Sequence, residues 1–352
     1  MNILKTNDCV IIGWHSSCSQ GDFDTQLKEI IIDVNNQLFK MGIHYSDMLK
    51  HTIAIKSGQV DPIYAINQFH KVSKEISKGY GDKKPVGTII KLPHFNLDDV
   101  LVSIEFVFSC KKTQVRCLPF YNMDMDMDVS RSLIHEELLY ITGTEALVVS
   151  DNTVTPYYIC DTLEEQVSVI INKIYNSIVE LDYSIDDIFL LNVYLRSDIA
   201  YQDAISLIKD ELAKYTNSPS SINCNINITY CDGMAVDSFL IEIDGFVKNH
   251  QLNIDNPIDY QCFQFNLDLY DSFTSAKKYI DTILKDNSSP RIRVTTKYVK
   301  SKNSSGVYID IIHDELMMKL ANANVSDYII ETLPVRKLMN NKSFLEINIH
   351  SF

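Results

Sequence analysis

Glu242 and Asp244 lie two residues apart in FLIEIDGF (239–246), a stretch in which apolar and acidic residues alternate. In a β-strand that spacing puts both carboxylates on one face. A charged Asp244 repels charge on Glu242 and raises one of the two pKa values, as a proton-donating acid requires near neutral pH. The plainer alternative is that Glu242 pairs with a lysine or arginine across an interface. Arg131 and Arg196 are the candidate anchors for a substrate carboxylate, with Lys300 as an outside candidate. A planar guanidinium grips a carboxylate through two parallel hydrogen bonds. Tyr194 shares a strand face with Arg196 in NVYLRS (192–197) and could line a ring. Arg196 could instead face solvent or pair with Asp198, and Arg131 could be a linker charge.

Other chemistries find little support. The nine histidines form no HxH or HExxH pattern, so no metal site is expected. Cys224 and Cys231 have no base beside them, and no serine stands in a GxSxG context. The MDMDMD tract (123–128) lacks the glycine-centred spacing of a calcium loop and reads as solvated linker. Eleven glycines in 352 residues are under half the usual ~7% share, and none falls in GxGxxG or GxxxxGK. No cofactor is expected.

Charge and composition narrow the partners. With 32 basic against 46 acidic residues the net charge is -14, which repels nucleic acid and anionic lipid. A hydrophobic share of 45% with 22% charged residues excludes wholesale disorder. The eight cysteines contain no CxxC pair and read as reduced thiols. The N-terminal MNILKTNDCVIIGW has too short an apolar stretch for a signal peptide, and no run approaches the ~20 apolar residues of a membrane span. A soluble, cytoplasmic protein is the expectation.

What positions the candidate residues is a repeat. Residues 26–57 lie without a gap over 166–197, at an offset of 140. Each copy opens with a helix, as Val167, Ile170, Ile171, Ile174 and Ile178 show by their helical spacing, then turns into a strand. A second helix follows (65–76 and 204–213), and an alternating strand closes each copy (101–108 and 240–247). A weaker third copy runs to the C-terminus. Lys56, Arg196 and Lys300 each precede a serine, 47, 46 and 46 residues before Ser103, Glu242 and Glu346 respectively. Expected units are 1–118, 138–250 and 258–352, with a linker at 119–137 holding the Met-Asp tract. The predicted fold is α/β of the α+β kind: three units, each a mixed sheet with two helices on one face. Ile241 and Ile243 should point to the helices, and Glu242 and Asp244 away from them. Only the second copy offers an arginine and a glutamate together, so one site per chain follows.

The unit with ITGTEAL (141–147) at its first strand, then a helix, NVYLRS and a terminal IEIDGF (241–246), resembles the RidA/YjgF superfamily, including chorismate-mutase-like units. The resemblance covers the second copy throughout, the first from about Gln26 and the third in its second half. Members are typically homotrimers with sites at subunit interfaces, so three copies imply an intramolecular pseudo-trimer, as a monomer or dimer. A narrower resemblance is to the chorismatases, single chains on the same plan that release pyruvate from chorismate. It rests on Ser130 and Arg131, on GTEALVV (143–149) against a GTAS-type segment, on VYLRS (193–197), and on FLIEIDG (239–245) against LLVEIEG. It implies acid-assisted enol-ether cleavage in aromatic biosynthesis, a hydrolase or lyase reaction on a small carboxylate, with Glu242 as acid and Arg131, Arg196 and Tyr194 binding substrate. Departures point the other way. Ser150, Asp151 and Asn152 stand where His-Glu is usual, and Ala235 and Val236 replace an arginine-containing pair. The Pro-Ala-Arg-Ser context of RidA deaminases reads PVGT (85–88) and PSSI (219–222, with Ser221 at the arginine position), which disfavours enamine or imine deamination. The alternative function is a catalytically lapsed member that binds a small ligand or serves protein interaction.

Overall fold

The computed structural model describes residues 3–248, apart from 6–7, 18, 78–83, 96, 112–114, 120–127, 150–156 and 217–223. Beyond 248 it describes the backbone of four strands and the single residues 278, 281 and 318. Unit one holds β1 (Ile3–Lys5), β2 (Cys9–Ser16), α1 (Phe23–Lys40), β3 (Met48–Lys56), α2 (Pro62–Ser77), β4 (Val86–Leu92) and β5 (Val102–Ser109). β6 (Arg116–Pro119) and β7 (Ser130–His135) lead into unit two. That unit holds β8 (Leu138–Thr144), β9 (Leu147–Val149), β10 (Tyr157–Ile159), α3 (Leu163–Val179), β11 (Ile188–Arg196), α4 (Tyr201–Ala213), β12 (Asn225–Cys231) and β13 (Ile241–Lys248). The later strands are β14 (Asp259–Phe265), β15 (Ile292–Tyr298), β16 (Tyr328–Pro334) and β17 (Leu345–Ser351).

Strand order carries the repeat. The three main sheets share a four-strand core, β2-β5-β3-β4, β8-β13-β11-β12 and β14-β17-β15-β16. In each, the first strand is antiparallel to the closing strand, the closing strand is antiparallel to the middle one, and the middle and edge strands are parallel. β1 extends the first sheet and β7 and β6 extend the second, while β9 and β10 form a separate hairpin. The stretch expected as a linker therefore contributes β7 to the sheet of unit two, and the end of the expected first unit contributes β6. The Met-Asp tract up to residue 127, Lys300 and the side chain of Glu346 lie outside the described residues.

Local chemistry repeats with the topology. Asp22 caps α1 by accepting the Thr25 amide at 2.9 Å, and Thr162 caps α3 in a capping box with Glu165. Past each helix the chain reverses through a left-handed residue, Gly42 (φ 73°) in unit one and Asp182 (φ 67°) in unit two, 140 positions apart. Glycine takes that conformation without strain, and aspartate is among the few other residues that tolerate it. A buried glutamine occupies equivalent places. Gln26 donates to the Gly21 and Asp99 carbonyls and accepts from Leu101 N. Gln166 donates to those of Cys160 and Ser238 and accepts from Leu240 N. Both side chains bond backbone groups on either side and so tie the start of the helix to the residues that lead into the closing strand.

The sheets of units one and two each have one face against their helices. Leu27, Ile30, Ile31, Val34 and Leu38 of α1 pack with Ile53, Ile55, Ile104 and Phe106, and the matching cluster in unit two includes Ile241 and Ile243. The opposite faces of units one and two pack on each other. Ala54, Ile90, Leu92, Phe95 and Val100 of unit one meet Tyr194, Cys231, Met234 and Phe239 of unit two. The backbone of β4 is stitched across this junction. Gly87 exchanges hydrogen bonds with the Thr142 hydroxyl, and Lys91 pairs with Gly233 and Asp232. β16 lies beside β1 and β2, so the edge strand of unit three meets the first strand of unit one much as β4 meets β8. No helix among the described residues is long and apolar enough to cross a membrane.

Candidate active site

β13 is the second closing strand, and its period of two sends Ile241 and Ile243 to the helices and Glu242 and Asp244 into the junction with unit one. Both carboxylates are buried there, with Glu242 at 1% exposure and Asp244 at 0%. Four donors converge on Asp244. Its Oδ2 accepts from the Lys50 ammonium at 2.5 Å, the Thr88 hydroxyl at 3.0 Å and the Tyr194 phenol at 3.1 Å, and its Oδ1 accepts from the Asn192 amide at 2.8 Å. Asn227 in turn donates to the Asn192 carbonyl oxygen at 3.0 Å. This is the donor complement of an ionised carboxylate. Lys50 and Thr88 belong to unit one, and the other groups to unit two.

Glu242 is treated differently. Among the described residues its Oε2 has no hydrogen-bond partner. Burial pushes its pKa well above the ordinary carboxylate value, and the charges of Glu145 and Asp244 push the same way, while Lys50 opposes them. Two neighbouring carboxyls are thus held in contrasting surroundings, Asp244 ringed by donors and Glu242 buried with its Oε2 unpartnered among the described residues. Tyr194 is in register with Glu242 across β11 and β13, and burial followed by the Asp244 charge raises its phenol well above the usual range.

A missing side chain makes room for the acid. A Cβ built on Gly143 of β8 would stand 1.9 Å from Glu242 Oε1 and 2.8 Å from the Thr88 hydroxyl. Gly143→Ala is expected to displace the Glu242 carboxyl and to cost roughly 1–3 kcal/mol as overpacking. The urea midpoint measures the cost, and an unchanged midpoint would show that Glu242 swings aside freely.

The two arginines lie elsewhere. Arg196 forks onto Asp198 at 2.6 and 2.7 Å and donates to the Asp237 carbonyl at 3.3 Å. Lys56, its equivalent in unit one, bonds the carbonyl of Asp98, which is the equivalent of Asp237. The recurring strand-end cation therefore pins the loop before the closing strand in both units. Arg131 pairs with Glu180 at the end of α3. Lys50 is the cation brought to the carboxylate pair. Sequence reasoning allowed for a lysine across the interface without naming it. Its signal was a lysine inside the otherwise apolar strand MLKHTIAIK, on the face opposite the helices. Thr88 and Asn227 escape the sequence comparison because the structural register of β4 and β12 differs from the motif match of PVGT with PSSI. The parallel ladders place Val86 opposite Lys50 and Asn225 opposite Leu190, so Thr88 corresponds to Asn227, and PVGT to Cys224–Asn227 rather than to 219–222. Residues 219–222, with Ser221, and 150–152 lie outside the described residues, and Val236 is exposed. Among the described residues no cluster of three or more His, Cys, Asp or Glu could hold a metal ion.

The fold has solved counterparts. A chorismatase structure covers 70% of this chain and 76% of its own, with a TM-score of 0.51 and 13% identity. A YjgF/YER057c/UK114-family protein of Mycobacterium tuberculosis covers 39% of the chain and all of itself, with a TM-score of 0.30 and 11% identity. A Pseudomonas aeruginosa protein of unknown function covers 39% of the chain and 93% of itself, with a TM-score of 0.32 and 21% identity. No family model matches the chain, and no curated protein matches it. The protein has an α+β fold of the chorismatase-like kind. Its neighbours of known fold also include many single-unit proteins of the YjgF/RidA type.

Proposed function

We propose that the junction of units one and two is a proton-donating site with Glu242 as its acid. In this reading the chain cleaves the enol ether of chorismate, or of a related small carboxylate, and releases pyruvate. The observation that carries the reading is the Glu242 carboxyl, buried with its Oε2 unpartnered among the described residues and pushed up in pKa by that burial, beside a carboxylate ringed by donors. Glu242 delivers its proton to the vinylic carbon, water adds to the resulting oxocarbenium carbon, and the hemiketal collapses to pyruvate and an alcohol. The proton lost by the attacking water balances the one Glu242 gave. The likeness in fold to a chorismatase supports the substrate class. The two equivalent junctions, β4 on β8 and β16 beside β2, support a closed ring in which β12 would meet β14, and hence a monomer or dimer.

A second reading has its own observation. Arg131 and Arg196 are both committed to other carboxylates, and Lys50 is already neutralised by Asp244, which leaves a dicarboxylate poorly served. A lapsed member, whose polar junction only docks one unit on the other, would look the same. Incubation of the pure chain with chorismate, with pyruvate read by a coupled dehydrogenase, separates the two. Pyruvate above the enzyme-free control supports the acid reading, and its absence leaves the docking role.

A further inference from the structure

Two buried imidazoles meet where unit one touches the chain that leads into unit two. His51 of β3 is 3% exposed and His70 of α2 is 7% exposed. Their rings stand edge to face with centroids 5.8 Å apart, and the Phe69 ring lies 4.5 Å from His51 and 5.3 Å from His70. The Nδ1 of His51 is buried and has no hydrogen-bond partner among the described residues. A charged His51 would make that atom a buried donor with nothing to receive its proton, and two charged rings at this separation would repel. The packing therefore accepts both rings only as neutral groups.

The cover over the pair is one short segment. His51 is in register with Gly87 of β4, and a Cβ built on Gly87 would stand 2.5 Å from His51 Nε2 and 3.1 Å from a Val129 methyl. The imidazole and Val129 thus close over the same glycine. Residues 128–130 are held down at three points. Asp128 pairs with Lys74 of α2, the Ser130 amide donates to the Pro85 carbonyl at 2.8 Å, and the Ser130 hydroxyl donates to that of Lys84 at 2.8 Å. Gly87 in turn exchanges bonds with the Thr142 hydroxyl of unit two, at 3.1 and 2.7 Å. The groups facing the pair resist a further proton. Burial holds both imidazoles below their ordinary value, and His70 and Lys50 add to this at His51. At His70, Lys74 and Lys84 act with burial, while Asp128 opposes them but is already engaged by Lys74.

We propose that the His51–His70 pair is an acid-operated latch on the seam between units one and two: protonation lifts residues 128–130 off β4 and frees Gly87 from Thr142, while the helix-side cores of both units stay closed. Opening is easiest here because the cover is three residues long, whereas the cluster behind it is sealed by α1 and α2. Each imidazole is neutral while the seam is shut and binds a proton once water reaches it. Closure is therefore complete above pH 6.5 and is lost as pH falls toward the folded value, about 4 for His70. Thr88 follows Gly87 and Lys50 precedes His51, so two donors of Asp244 loosen with the seam.

Amide hydrogen exchange of the full chain between pH 7 and 4, corrected for intrinsic rates, reads the latch at Gly87 and Ser130. Their protection should fall by about tenfold per pH unit for each imidazole that charges, while Val193 and Ile243 in the sheet of unit two keep theirs. Combining His51→Phe with His70→Phe keeps a ring at both places and removes both proton acceptors, so the fall should vanish. Protection lost at Gly87 only together with Val193 and Ile243 would mean global unfolding and would overturn the proposal. An equal fall in the double variant, or no fall in wild type, would do the same. If the double variant does not fold, the imidazole Cε1 resonances of wild type decide. They should titrate in step with exchange at Gly87, and imidazoles that charge while Gly87 stays protected would sink the latch.

Discussion

Glu242→Gln is expected to lower pyruvate release from chorismate by about 100- to 10,000-fold, the span typical of a lost general acid. The amide keeps the size of the carboxyl but has no proton to deliver, so the loss should fall on kcat rather than KM. A variant with an unchanged rate would remove Glu242 from the chemistry. The same substitution carries a stability signature that does not depend on turnover. Because burial raises the Glu242 pKa, the folded state binds a proton that the unfolded chain releases above its ordinary value of 4.5. Stability from this group is present below pH 4.5 and is lost as pH rises toward the folded value. The variant should therefore gain on wild type as pH increases from 4.5, in urea midpoints taken across the range. His51 and His70 slope the other way. Burial depresses both, His70 to about 4, so their contribution falls as pH drops below 6.5. Since they are common to both proteins, the difference between variant and wild type isolates Glu242.

Lys50→Met is expected to cost about 3–5 kcal/mol, because it leaves Asp244 as a buried charge without its cation. Lys50 is 2% exposed and Asp244 0%, so water cannot replace the lost partner. Thr88, Asn192 and Tyr194 would still donate to Asp244, and for that reason the site should weaken rather than vanish. Lys50→Met combined with Asp244→Leu should recover much of the loss, since removing both charges removes the uncompensated one. Urea midpoints at unchanged slope measure all three variants. Equal losses for Lys50→Met and the double variant would mean that the pair does not hold units one and two together.

The class of fold, the repeat and its offset, and the face on which Glu242 and Asp244 stand were determined by the sequence alone. The reason is that these properties are local or periodic. Helical spacing in 166–178 and alternation in 240–247 follow from backbone geometry, and an offset of 140 recurs in Gly42 and Asp182, in Gln26 and Gln166, and in Lys56 and Arg196. Which cation meets which carboxylate was decided by tertiary structure. In sequence Arg196 is a candidate for a ligand carboxylate, with solvent or Asp198 as the alternative, and only packing turns it onto Asp198 and the Asp237 carbonyl. Lys50 is 194 positions from Asp244, and no periodicity relates them. Their meeting depends on how the helix-free face of one sheet docks on that of the next, a register set by side-chain shape and by the stitching of β4 across the junction.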